Sequence, residues 1–186
     1  MRSSVRFTML NAALALACAV PAAAQTPTII TDLVGDVSEV EKKFIDLAKA
    51  IPAEKYDWRP AAGVRSIGEV LKHVASDNYL IPALLGTAAD ASTGITTDYK
   101  TAQAYETRKA DRAAVMADLE ASFAFLRKAM EAQAAADLTK EITVFGRKTT
   151  AQETWILTVT HLHEHLGQAI AYARSNNVTP PWSKGG

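Results

Sequence analysis

The segment TAQETWILTVTHLHEHLGQAIAYARSN, residues 150–176, predicts the helix around which the rest of the chain packs. Its first four residues, Thr150 to Glu153, match a capping box, in which a hydroxyl and a carboxylate serve the free N–H groups of a helix start. Apolar residues then cover most of the helical wheel, namely Trp155, Ile156, Leu157, Val159, Leu162, Leu166 and Ile170. A helix that is apolar on several sides lies inside a bundle or between bundles.

Three further helices are predicted upstream by apolar residues at steps of four and three. The first spans Leu33 to Ile51 and ends at Pro52. The second starts at the capping box Ser66–Glu69 and ends near Gly86, with Pro82 expected to kink or shorten it. The third carries Val115, Leu119, Phe123, Leu126 and Met130.

Residues 138–148 break the helical period, and Phe145-Gly146-Arg147 reads as a turn or a short extended piece. No pair of strands is convincing from the pattern alone. The fold class predicted is therefore all-α, an up-down four-helix bundle with a short irregular segment before the last helix.

The first 24 residues are predicted to be a signal peptide. Arg2 and Arg6 precede an apolar run that ends at Val20, and Ala22-Ala23-Ala24 suits signal peptidase, so Gln25 is the expected first mature residue. A transmembrane anchor is the alternative, but the run is shorter than the ~20 residues that a membrane span needs. We therefore expect an exported protein, periplasmic or secreted, with no stable membrane span.

The one cysteine, Cys18, lies inside this segment. A lipoprotein signal would place a bulky aliphatic residue three positions earlier, where Ala15 stands, so lipid anchoring is the lesser alternative. Cleavage before Gln25 would leave a mature chain without a disulfide or a thiolate nucleophile.

The 20 basic and 20 acidic residues give a formal net charge of +0, which does not favour a nucleic-acid partner. A small-molecule substrate and a homodimer both remain open.

Three of the four histidines, His161, His163 and His165, fall within five residues of the last helix. His161 and His165 are four apart and share a face, where two imidazoles can bind one metal ion. Their face also carries hydroxyl and amide groups, from Thr154, Thr158, Gln168 and Tyr172. His73, on the second helix, would supply a third ligand and leave open positions on the ion.

Neighbouring groups have alternative roles. His163 points to the opposite side of the helix, which favours a packing or hydrogen-bonding role. Glu69 lies one turn before His73 and Asp77 one turn after it. One of these carboxylates could orient the His73 ring through its second nitrogen, or Asp77 could itself coordinate the metal ion. Glu164 is either a catalytic base or, more commonly for such a residue, a solvated side chain. No catalytic residue is assigned.

Three stretches of the sequence resemble DinB-like proteins, the damage-inducible four-helix bundles related to bacterial metal-dependent thiol transferases. They are Trp58-Arg59-Pro60, the run from Arg65 to His73, and the run from His161 to Gln168. Pro180-Pro181-Trp182 is similar to the tail of one subgroup. The resemblance covers most of residues 25–186, which are expected to form one DinB-like bundle domain.

The resemblance implies a metal triad of one histidine from the second helix and a pair, four apart, from a later helix. These correspond to His73, His161 and His165, with zinc or nickel as the expected divalent ion. Many members carry arginine after the last histidine, where this chain has Leu166. Members transfer thiols such as bacillithiol or mycothiol, isomerise thiol adducts or hydrolyse substrates. The expected function is a metal-dependent hydrolase or transferase of unknown substrate, and the alternative is a non-catalytic bundle that uses the metal, or packing alone, for stability or partner binding.

Overall fold

The four predicted helices form the body of the protein. The computed structural model describes residues 28–183, and the predicted signal peptide, residues 1–24, lies outside them. The long helices are α1 (Thr28–Ala50), α2 (Ile67–Leu84), α4 (Arg112–Glu131) and α5 (Ala151–Ser175), with a short α3 (Tyr99–Glu106) between α2 and α4. Both α1 and α2 pack against α4 and α5, so the all-α bundle is confirmed.

The capping box predicted at Ser66–Glu69 is complete. At Thr150 only the hydroxyl half forms, because the Glu153 carboxylate accepts a hydrogen bond from the Thr149 hydroxyl instead. The Ser66 hydroxyl accepts a hydrogen bond from the amide of Glu69, and the Glu69 carboxylate accepts one from the amide of Ser66 at 2.7 Å. At the start of α5 the Thr150 hydroxyl accepts from the amide of Glu153 at 3.1 Å. These bonds satisfy N–H groups that have no partner within the helix, and so determine where α2 and α5 begin.

The core lies between the four long helices. The apolar stripe of α1 is buried from Val37 to Ile51, and α5 contributes Trp155 as the largest fully buried side chain. The indole N–H of Trp155 donates to the side-chain oxygen of Gln133 at 3.1 Å. Trp58, in the loop before α2, is half-buried against the core and packs edge-on against Tyr172, with 5.4 Å between ring centroids.

The helix α3 was not predicted. Asp98 caps it by accepting from the amide of Lys100, and α3 packs against α2. The helix has only eight residues, of which Ala102, Tyr105 and Glu106 are buried. So short an element shows too little apolar periodicity for recognition, and it is held by contact with α2 rather than by its own propensity.

The expectation of no strand pair was wrong. Residues 141–150 form an antiparallel hairpin of β1 (Glu141–Val144) and β2 (Arg147–Thr150). Phe145 and Gly146 connect the strands with φ of 50° and 75°, and two left-handed residues are what a tight type I′ hairpin turn requires. The strands are four residues long and only Val144 is buried, so they lack the apolar alternation by which strands are recognised.

None of the helices between residues 28 and 183 combines the length needed to cross a membrane with a sufficiently apolar composition.

Candidate metal centre

The structure brings His73, His161 and His165 together. One ring nitrogen from each lies within 4.8 Å of those of the other two. The ring centroids are 5.4 Å apart for His73 and His161, 4.5 Å for His73 and His165, and 4.4 Å for His161 and His165. His73 is buried and the other two are half-buried. The helical spacing and the packing of α2 on α5 together produce this group, which could hold a metal ion.

His73 is oriented by a carboxylate that the sequence analysis did not identify. Its Nδ1 lies 2.7 Å from Oε1 of Glu106, at the end of α3. An ionised carboxylate only accepts hydrogen bonds, so Nδ1 carries the proton and Nε2 presents its lone pair to the other histidines. Arg65 holds Glu106 in turn, because its Nε and Nη2 both lie 3.0 Å from Oε2. This carboxylate–histidine pairing is the usual support of a metal-binding imidazole.

Electrostatics keep Glu106 ionised. Burial alone would raise the pKa of its carboxyl group, but the hydrogen bond with His73 and the charge of Arg65 outweigh burial and lower that pKa.

Glu69, one of the two carboxylates predicted to orient His73, is occupied by the capping box and by Arg59. The prediction that Glu69 supports the ring was therefore wrong. Arg65 stood in the stretch that carried the family resemblance, whereas Glu106 gave no sequence signal once α3 was missed.

Asp77 lies on the ligand side of the cluster. Its Oδ2 is 2.9 Å from Nε2 of His161 and 3.4 Å from Nε2 of His73. The carboxylate oxygen of Asp77 accepts the hydrogen bond from Nε2–H of His161, and this bond raises the pKa of His161. Metal binding at His161 would release that proton. Asp77 therefore faces Nε2 of both rings, and Glu106 rather than Asp77 holds Nδ1 of His73.

His165 provides the clearest sign of a metal ligand. Its Nδ1 lies 2.8 Å from Oε1 of Gln168, and the Gln168 amide donates to the Tyr172 hydroxyl at 3.1 Å, which fixes the amide orientation. Nδ1 is therefore the protonated nitrogen. Nε2 is buried and has no hydrogen-bond partner among the described residues. Burial lowers the pKa of His165 to about 4, so the ring is neutral and its lone pair is available at neutral pH.

The remaining predicted residues lie outside the cluster. His163 is exposed on the opposite side of α5, and its Nε2 lies 3.0 Å from Oδ1 of Asp36 on α1, as expected for a hydrogen-bonding role. Glu164 has 74% of its side chain exposed and reaches only within 3.5 Å of Nδ1 of His161. It is thus a solvated side chain at the edge of the site. Leu166 is buried in the core, so it supplies no substrate contact.

The histidines form one wall of an open cleft of about 570 Å³. Arg65, Asp77 and Glu164 contribute its charged groups, and the other lining residues are apolar or aromatic: Ile81, Tyr99, Phe145 and Leu157. A cleft of this size, with a few polar groups converging on one point, is typical of a small-molecule site.

Comparison with known proteins confirms the resemblance drawn from the sequence. The chain belongs to the DinB superfamily, whose family model matches residues 37–169. A comparison with curated proteins found no match.

Three solved structures share the fold. A DinB-like protein from Bacillus subtilis has 20% identity and a TM-score of 0.61, covering 80% of this chain and 93% of its own. A DinB-like protein from Bacillus cereus has 17% identity and a TM-score of 0.63, with coverages of 82% and 95%. A conserved protein from Enterococcus faecalis has 16% identity and a TM-score of 0.64, with coverages of 77% and 94%. At these identities the likeness establishes the fold and leaves the chemistry to the site.

Proposed function

We propose that His73, His161 and His165 bind one divalent metal ion, zinc or nickel. The observation that carries this proposal is the buried, unpartnered Nε2 of His165, on a ring whose centroid lies 4.5 Å from that of His73 and 4.4 Å from that of His161. An unsatisfied polar atom in the interior is unfavourable, and a cation bound to its lone pair would remove the deficit. Imidazole nitrogen suits both metals.

The activity we propose is that of an exported metal-dependent hydrolase or transferase. A bound divalent ion would act as a Lewis acid toward a substrate carbonyl, phosphoryl or thiol group. Asp77 is the carboxylate best placed to accept a proton from a substrate in the cleft, because it lines the cleft and lies 2.9 Å from His161. Arg65 and Glu106 act through His73 by holding its Nε2 toward the cluster.

Metal content tests the site. Wild type, His161→Ala and His165→Ala would be produced with their native export signal, purified without added metal and measured by elemental analysis. His163→Ala is the matched control, since that histidine lies on the same helix but faces α1. We expect stoichiometric metal in wild type and control, and loss in the two ligand variants. Metal retained in His161→Ala but lost in His163→Ala would refute the assignment.

The same ligands support a second role. Because they come from α2 and α5, an ion would tie two helices together in the folded state only. A non-catalytic bundle that uses the metal for stability or partner binding therefore remains the alternative. The structural role would be favoured if the metal raised the melting temperature while the metal-loaded protein turned over no ester, amide, phosphoester or thiol-transfer substrate. Turnover by the loaded wild type that is lost in Asp77→Asn would instead favour the enzyme.

Export depends on residues outside the described part of the chain. We propose cleavage between Ala24 and Gln25, on the strength of the sequence pattern. Intact mass and amino-terminal sequencing of the exported protein test this. A retained Cys18 carrying a diacylglycerol mass would instead identify a lipoprotein.

A further inference from the structure

The mouth of the histidine cleft is unusually apolar for an exposed surface. Among the described residues, five large hydrophobic side chains are exposed, and three of them line this cleft. Phe145 has 57% of its surface accessible, Leu157 has 50% and Tyr99 has 42%. Single exposed apolar residues are common, but a group converging on one cleft indicates a binding surface.

These side chains come from three separate elements. Tyr99 is the first residue of α3, Phe145 occupies the hairpin turn, and Leu157 precedes His161 by one turn of α5. The rings of Tyr99 and Phe145 meet edge to face, with centroids 6.2 Å apart and planes at 86°. The two elements that the sequence did not predict therefore meet at the histidine cleft. With Leu157 they form an apolar rim, defined here as Tyr99, Phe145 and Leu157.

Phe145 is an unexpected residue for its position. Its φ of 50° lies in the left-handed region, where turns normally place glycine, asparagine or aspartate. A bulky aromatic residue there is conformationally unfavourable, and its ring remains largely exposed, so burial within this chain does not offset the cost. A ligand that covers the ring would supply the missing apolar contact.

We propose that the cleft binds a small molecule with an uncharged aryl or branched alkyl group, which packs on the apolar rim while its polar end faces the three histidines. This substrate class rests on the proposed metal site. The volume of about 570 Å³ suits a small molecule. Among the described residues that line the cleft, Arg65 is the one lysine or arginine, and it is paired with Glu106. No unpaired lysine or arginine of the described part of the chain therefore selects a negatively charged tail in this cleft.

Two hydroxamates that differ only in their apolar group test the proposal. Acetohydroxamic and benzohydroxamic acid would be titrated calorimetrically into zinc-loaded wild type, Phe145→Ala and Tyr99→Ala. Trp182→Ala is the matched control, since Trp182 is an exposed aromatic residue outside the cleft lining. Burial of one ring should make the phenyl compound bind at least about ten-fold more tightly to wild type and control. The preference should fall to about three-fold or less in the two rim variants.

The outcomes separate the rim from the metal site. Binding of acetohydroxamic acid reports on the metal alone. If this acid binds and all four proteins prefer the phenyl compound by the same factor, the rim proposal is overturned and the metal site stands. If neither compound binds, the metal site fails, and the neutral fluorophore N-phenyl-1-naphthylamine tests the rim in metal-free protein. Fluorescence lost in Phe145→Ala supports the rim, and unchanged fluorescence overturns it. A wild-type dimer that Phe145→Ala dissociates would also overturn it, by assigning the rim to a second copy of the chain.

Discussion

Removal of the Glu106 carboxylate should weaken metal binding although no proposed ligand is replaced. In Glu106→Ala, the Nδ1–H of His73 loses its acceptor, which lies 2.7 Å away in the wild type. The ring can then move its proton to Nε2, toward the Asp77 carboxylate 3.4 Å away. That tautomer has no lone pair on the nitrogen that faces the other histidines, so the ligand set loses one member until the proton is moved back.

The size of the effect follows from burial. Glu106 is only 8% exposed and His73 only 5%, so little water is available to replace the lost hydrogen bond. Loss of such an outer carboxylate typically weakens metal binding about 10–100-fold, or roughly 1.4–2.8 kcal/mol. The Arg65 guanidinium left behind is partly exposed and can be solvated, which adds little to this cost.

Two measurements check the prediction. Competition with a chromophoric chelator gives the zinc affinity of wild type, Glu106→Ala and Glu131→Gln. Glu131→Gln is the control, because it neutralises an exposed carboxylate at the end of α4, outside the cleft lining. Nitrogen-15 spectra of the imidazoles in metal-free protein report the tautomer directly. We expect His73 to be protonated at Nδ1 in wild type and at Nε2 in Glu106→Ala. Unchanged zinc affinity together with an unchanged tautomer would refute the positioning role.

Two further predictions concern stability. A ligand at 100 times its dissociation constant stabilises the folded state by about 2.7 kcal/mol, so removal of the metal by a chelator should lower the melting temperature by roughly 5–11 °C. An unchanged melting temperature after verified metal removal would exclude a metal that links α2 to α5. In metal-free protein, burial lowers the pKa of His165 to about 4, below the unfolded value near 6.5. The unfolded chain then binds the extra proton, so the free energy of unfolding should fall from about pH 6.5 to about pH 4. Denaturant titrations of wild type and His165→Gln should show this slope in wild type and a flatter one in the variant.

The sequence alone determined the elements whose signals are local and repeated. The stripe of α1, the capping of α2 and α5, and the periodic apolar residues of α4 each depend on neighbours within a few positions, so they could be predicted directly. The grouping of His161 and His165 has the same origin, because residues four apart share a helix face. The opposite orientation of His163 follows from the same periodicity, and its contact with Asp36 confirms it.

Only the tertiary structure decided the groups that support and surround the histidines. Glu106 is 33 positions from His73, and Asp77 is 84 positions from His161, and no local pattern encodes such pairings. The helix α3 and the hairpin are short and show little apolar periodicity, so their positions depend on contacts with α2 and α5 rather than on strong propensity. Tyr99, Phe145 and Glu106 come from these two elements. The sequence therefore placed the proposed ligands on their helices, whereas only packing decided which groups orient the histidines and which residues line the cleft with them.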